Sequence, residues 1–254
     1  MINWTAIYVM WLREMKRYMR AKSRVFGSLA MPLFFMAFLG LGFNRMPVPG
    51  ISEDVNYIRF LVPGILGMTL LFSSTMQGLS VLWDKEFGFL KEIMVAPVSR
   101  VSLVLGRIAG GITTALIQGM LILLLSLLMG FRIAGVGQFL LALVFMLLIG
   151  FTFIGLGLIF ASKMKDMQGF SIVMNFIVFP LFFLSGALYP LGNLPVFVRV
   201  LSYADPLTFG IDGLRGALID VSSLPIALDL AIMVGFSLIM VFLGAYFFEK
   251  TESA

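Results

Sequence analysis

Six long stretches of this chain carry no Asp, Glu, Lys, Arg or His: residues 25–44, 60–83, 108–131, 133–162, 167–198 and 230–248. A helix crosses the hydrocarbon core of a bilayer in about 20 residues, so every stretch is long enough to span one. The chain is 60% hydrophobic and 12% charged, with a mean hydropathy of +1.05. A water-soluble domain of ordinary composition is about a quarter charged. So much apolar surface cannot be hidden inside one fold, and its solvent must largely be lipid. The expected fold is an all-α polytopic membrane protein with six transmembrane helices, at 25–44, 60–83, 103–131, 137–162, 167–189 and 229–248. The first run is not read as a cleaved leader, because Gly42-Phe43-Asn44-Arg45-Met46-Pro47 offers no small-x-small cleavage pattern.

Orientation follows from the Lys and Arg residues. An even number of spans puts both termini on the same side as the loops around 84–107 and 163–166. That side holds thirteen of the eighteen basic residues, and Arg45, Arg59, Arg132, Arg199 and Arg215 lie on the other. Both termini are therefore expected in the cytoplasm, with the protein multi-pass in a prokaryotic plasma (inner) membrane. The net charge of +5 is all accounted for by the first 24 residues, which hold six bases against Glu14. One local basic patch argues against a nucleic-acid surface.

What is missing narrows the function. Without Cys or His the chain has no thiolate nucleophile, no Cys/His zinc site and no Ser–His chemistry. Asp205, Asp212 and Asp220 are the acidic candidates for a membrane-embedded enzyme, and they lack a metal motif. No catalytic or metal residue is therefore nominated. No ionisable group sits centrally in a span, which weakens an ATP-independent secondary transporter without excluding backbone-bound Na⁺. A non-transporting membrane anchor subunit is the other rival. There is no phosphate-binding loop and no room for a nucleotide-binding domain. Uphill transport would need a partner to supply the work.

Three segments stand apart from the spans. Residues 1–24 read as a helix lying in the headgroup plane, with Trp4, Tyr8, Trp11, Leu12, Met15 and Met19 on one arc and Arg13, Glu14, Lys16, Arg17 and Arg20 opposite. A plain basic anchor for the first span is compatible with this. Residues 190–228 follow a run broken by Pro180, Gly186, Pro190 and Pro195. They are expected to form short helices re-entering the outer leaflet, since non-helical backbone at that depth survives only when covered by protein or water. Residues 84–97 read as a short cytoplasmic amphipathic helix ended by Pro97. Phe87, Leu90 and Met94 share one face, extended by Phe89 and Ile93, with Lys85, Glu86, Lys91 and Glu92 flanking. Such a face suits a groove on a soluble partner or a lipid surface equally.

The run EFGFLKEIMVAPVSRVSLVLGRI resembles the coupling-helix region of ABC-2-type transporter permeases. It matches at Glu86, Gly88, Leu90, Ile93, Pro97, Ser99 and Arg100, with Ala96 where Ser or Thr is commoner. PLFFLSGALYPLGNLP followed by ADPLTFGIDGLRGAL is similar to the family's outer re-entrant region. The drug- and polysaccharide-export branch, with daunorubicin-resistance and nodulation permeases, is nearest.

The resemblance implies one transmembrane domain over 1–254, working as a homodimer or heterodimer with two ABC ATPase subunits. ATP and Mg would be bound by the ATPase and no cofactor by this chain. The ATPase would grip Glu86, Phe87, Gly88, Leu90, Lys91, Ile93, Met94, Pro97 and Arg100. By the same resemblance spans two and five line the path, which nominates Phe72, Met76, Gln77, Asn175 and Phe179. Each could equally pack the bundle. Ser73, Ser74, Thr75, Gln77, Gln118 and Asn175 are read mainly as interhelical hydrogen-bond glue, and Gly106 with Gly110 as a close-packing pair or, less commonly, a dimer seam.

Overall fold

The computed structural model describes residues 2–43, 56–87, 99–133, 135–164 and 166–251, and every regular element among them is helical. Helix α1 is Trp4–Arg20 and α2 is Lys22–Phe35, continued by a π-turn over Met36–Gly40. The long helices are α3 (Tyr57–Glu86), α4 (Arg100–Leu128) and α5 (Val136–Lys163). Then come α6 (Met167–Val173), a π-turn over Met174–Val178 and α7 (Phe179–Leu184). Two shorter helices, α8 (Val196–Ala204) and α9 (Pro206–Ile219), precede α10 (Ile226–Thr251).

Local chemistry sets several of these starts. The side chain of Asn3 accepts from the Ala6 amide at 3.2 Å, and Asp166 accepts from Gly169 at 2.7 Å. Asp205 accepts from the Leu207 amide at 2.9 Å, with Pro206 in the first helical position, where its missing N–H costs nothing.

Five stretches are long and apolar enough to cross a membrane: Tyr57–Asp84, Val101–Leu128, Val136–Lys163, Met167–Leu184 and Ile226–Lys250. Trp4–Arg20 and Val25–Gly40 meet the same length and hydropathy requirement only as a pair bent by 69°, so the described residues hold five crossings, or six where that pair counts as one. The break falls at Ala21, so the last two bases of the N-terminal patch, Lys22 and Arg24, belong to the first turn of α2.

Helix α5 is the axis of the bundle, packed against α3, α10, α9 and α4. Its small residues explain why. A Cβ on Gly157 would stand 2.6 Å from the Thr75 carbonyl oxygen of α3, and one on Gly155 would stand 2.3 Å from that of Met240 on α10. In lipid, such backbone approach replaces the hydrophobic effect as the force between helices. Large apolar side chains such as Phe34, Phe38, Leu124, Leu238 and Phe242 are left exposed on the outside, as a lipid-facing surface requires.

Several boundaries differ from the sequence reading. The span expected at 60–83 is one helix from Tyr57 through Glu86, so Asp84, Lys85 and Glu86 extend a span rather than begin the separate helix expected at 84–97. The span placed at 103–131 starts at Arg100, where Ser99 caps it, and ends at Leu128. The span placed at 167–189 stops as a helix at Leu184, followed by Gly186 at φ +72°.

The region 190–228 does hold two short helices. α8 turns Val196, Phe197, Val200 and Leu201 outward, while α9 is buried from Pro206 to Leu218 against α3, α5 and α10. Arg215 of α9 resolves the backbone problem at the turn after Leu184. Its buried guanidinium donates to the carbonyls of Gly186 (2.7 Å) and Ala187 (3.0 Å) and lies 3.7 Å from the centre of the Phe60 ring. Carbonyls that leave a helix inside an apolar medium need such a donor.

Candidate functional site

A cavity of about 600 Å³ opens among α1, α2, α3, α4, α6 and α7. All five nominated path residues, Phe72, Met76, Gln77, Asn175 and Phe179, line it. The rings of Phe72 and Phe179 stand 4.8 Å apart and form an aromatic wall, continued by Met31, Pro32 and Met68. Polar atoms enter from Ser73, Gln77, Gln118 and Asn175. An apolar chamber with a few polar groups is the general form of a small-molecule site.

The hydroxyl cluster on α3 behaves differently from interhelical glue. Thr75 bonds back to the Leu71 carbonyl of its own helix at 2.8 Å, and Thr114 on α4 does the same to Gly110 at 2.9 Å. That bond lies within reach of any helical Thr, so the hydroxyl is satisfied without a neighbouring helix. Ser73 and Ser74 keep buried oxygens with no protein partner.

One end of the cavity is closed by α1, which contributes Glu14, Arg17 and Tyr18. This helix was expected to lie on lipid with its cations outward. Trp4, at 76% exposure, does face out, as do Tyr8, Lys16, Met19 and Arg20. Arg13 and Arg17 turn inward. Arg13 donates to Asp84 of α3 at 2.7 Å, and Arg17 approaches Glu14 at 3.8 Å and Asp84 at 3.7 Å. The Trp11 indole N–H donates to Thr113 of α4 at 3.1 Å.

Gly106 and Gly110 make this contact possible. A Cβ on Gly106 would stand 2.6 Å from that of Met10, and one on Gly110 would stand 2.7 Å from that of Glu14. The pair is a close-packing groove whose occupant is the chain's own first helix.

Asp84 ties this end together. Besides Arg13, it stands 2.7 Å from Arg107 of α4, whose guanidinium lies 5.6 Å from the centre of the Phe248 ring on α10. Asp84 and Arg107 are both buried. A charge pair out of water persists only when each member is compensated, and here two arginines bracket one carboxylate. The cluster joins α1, α3, α4 and α10.

Of the nominated partner-contacting residues, Glu86 is the last residue of α3 and Arg100 the first of α4. Phe87 follows α3 with 78% of its surface exposed. Gly88, Leu90, Lys91, Ile93, Met94 and Pro97 lie outside the described residues.

Sequence reasoning did not nominate Glu14, Asp84, Arg107 or Arg215. One signal was available: Glu14 is the single acid among six bases in the first 24 residues. The others are ordinary span-flanking charges until the helices are assembled. Of the acidic enzyme candidates, Asp205 caps α9, Asp212 accepts from the amides of Ser223 and Leu224 at 2.8–2.9 Å, and Asp220 is exposed at a left-handed helix end. Two of them are thus occupied with backbone amides.

Comparison with known proteins agrees with this architecture. Residues 5–219 match the family described as ABC-2 type transporter. The chain is 27% identical over 238 residues to the inner membrane transport permease YadH of Escherichia coli K12, covering 92% of this chain and 91% of that protein. It is 26% identical over 251 residues to nodulation protein J of Sinorhizobium fredii, covering 98% and 93%. A putative transport permease, ycf38 of Cyanophora paradoxa, is 26% identical over 210 residues, covering 82% and 72%. With a match that spans most of its length and a bundle of membrane-crossing helices, the chain belongs to the ABC-2 type transporter family and is the membrane subunit of a transporter.

Proposed function

We propose that this chain is the permease half of an ATP-driven exporter in a prokaryotic inner membrane, with both termini in the cytoplasm. Two permease subunits, identical or different, work with two copies of a separate ABC ATPase that binds ATP and Mg. The ATPase grips the segment 85–95 through Phe87, Leu90 and Met94, with Glu86 and Arg100 holding it by charge. The cargo is an amphipathic molecule: a drug, a lipid or a lipid-linked glycan.

The observation that carries the reading is the cavity. It is walled by the aromatic and thioether side chains of α3, α6 and α7 and closed at one end by charges on α1. The ion-pair cluster under it joins α1 to α3, the helix that runs on into the lever. A push on the lever therefore reaches the cavity floor through covalent helix and paired charge. Such a push shifts the equilibrium only by the difference in the ATPase's affinity for the two states.

The test is Leu90→Asp, which places a charge on the apolar face of the lever. Cargo-stimulated ATP turnover by the reconstituted complex should disappear while the thermal unfolding midpoint of the permease is unchanged. Coupled turnover in a stable Leu90→Asp protein would falsify the docking role. Uphill transport by the purified chain in vesicles, with no nucleotide hydrolase present, would overturn the whole reading in favour of an ion-coupled carrier.

A further inference from the structure

The closed end of the cavity contains two opposite charges that the fold leaves incompletely satisfied. Glu14 is buried, with 6% of its side chain exposed, and its Oε1 has no hydrogen-bond partner. The Nη2 of Arg17, one turn along α1, is buried and likewise unpartnered. The two groups are 3.8 Å apart, too far for a hydrogen bond between them. Asp84, held at 2.7 Å by both Arg13 and Arg107, lies 3.7 Å from Arg17, an ion pair without a hydrogen bond. The Ser73 Oγ, lining the same cavity, is also buried without a partner. These ion pairs leave Glu14 Oε1 and Arg17 Nη2 without hydrogen bonds, and a buried polar atom left so is costly, so a ligand that supplies the missing partners relieves the arrangement.

The required chemistry follows from the signs. An ammonium alone would satisfy Glu14 and stand against Arg17. A phosphate or carboxylate alone would satisfy Arg17 and stand against Glu14. Only a head carrying both satisfies both, with no net charge carried into the apolar chamber. The wall above, Phe72, Met76, Met174 and Phe179, suits an alkyl or aromatic tail. We propose that this cavity is a binding site for a zwitterionic amphipath, its ammonium on Glu14, its anionic group on Arg17, and its tail between α3 and α6–α7. Calling that ligand a cargo rests on the export reading; the binding itself does not.

The test is equilibrium binding to the full chain in uncharged maltoside micelles, using single-chain probes with matched tails. Dodecylamine carries only the cation and dodecyl phosphate only the anion. Dodecylaminopropanoate and lyso-phosphatidylethanolamine carry both, the second as a membrane lipid. The zwitterions should bind about tenfold tighter than either singly charged probe, the scale of one charge-assisted hydrogen bond. Preference for the phospholipid over dodecylaminopropanoate assigns the site to a lipid, and the reverse assigns it to a free amphipath. Glu14→Gln should weaken both zwitterions about tenfold, and Arg17→Gln should do the same while making dodecylamine the better ligand. Dodecylamine or dodecyl phosphate binding as tightly as the zwitterions overturns the proposal, and this ranking is read on the unmodified protein, so it stands even if a variant misfolds. Unchanged zwitterion affinity in a folded Glu14→Gln protein overturns it equally. No ATPase takes part, so a negative result leaves the Leu90→Asp experiment to judge the export reading by itself.

Discussion

Two acids, Glu14 and Asp84, organise the end of the molecule where α1, α3, α4 and α10 meet. In the sequence both look like incidental charges beside much larger basic and apolar blocks. Their importance comes from burial. Asp84 holds Arg13 at 2.7 Å and Arg107 at 2.7 Å, and Arg107 is only 5% exposed. Replacing Asp84 by Asn leaves a buried guanidinium uncompensated, which should cost about 3 kcal/mol, the lower end for a broken buried pair because Arg13 is a quarter exposed. A lowered thermal unfolding midpoint of the purified protein checks this. Adding Arg107→Met to Asp84→Asn should recover part of the loss, since the stranded charge is then gone. If Asp84→Asn unfolds at the wild-type temperature, the cluster does not hold the helices. Side-chain type alone did not mark these positions: an aspartate just past a span reads the same whether it faces water or two arginines.

At the scale of elements, helix α1 shows how composition and packing can point different ways. Its aromatic and basic content correctly separates it from the first span, and the chain breaks at Ala21. Its face was not readable, because an amphipathic helix meets lipid and protein with the same kind of surface. Gly106 and Gly110 decide the matter by letting α1 approach the backbone of α4. Gly110→Leu should lift α1 from this groove, at a cost of about 1–3 kcal/mol for overpacking. The chain has no native cysteine, so a single one placed at the buried Met10 gives a clean report. It should resist maleimide in the parent and react once Gly110→Leu is added. Continued protection would mean that α1 is seated by other contacts. The buried helix α9 was only partly legible. Its apolar content pointed to the membrane, whereas the role of Arg215 in bonding the carbonyls of Gly186 and Ala187 depends on a turn twenty-eight residues earlier.

For the whole molecule, long uncharged runs dictate a helical bundle in lipid, because backbone polar groups have no other partners there. The transporter family likewise rests on features spread along nearly the full chain. The proposed assembly makes a measurable prediction: the complex purified with its ATPase should have the mass of two permease and two ATPase subunits. A monomeric permease bound to a single ATPase would remove the dimer from the mechanism.

Five of the six expected spans coincide with helices long and apolar enough to cross a bilayer, because hydrophobic length is a local property, read residue by residue against the thickness of a bilayer. The five path residues were nominated from resemblance, and the fold places them around one cavity. What closes that cavity, which charges pair, and which helix fills the glycine groove of α4 were settled only by tertiary structure. Those outcomes depend on distances between atoms far apart in the chain, and a periodic apolar pattern carries no information about such distances.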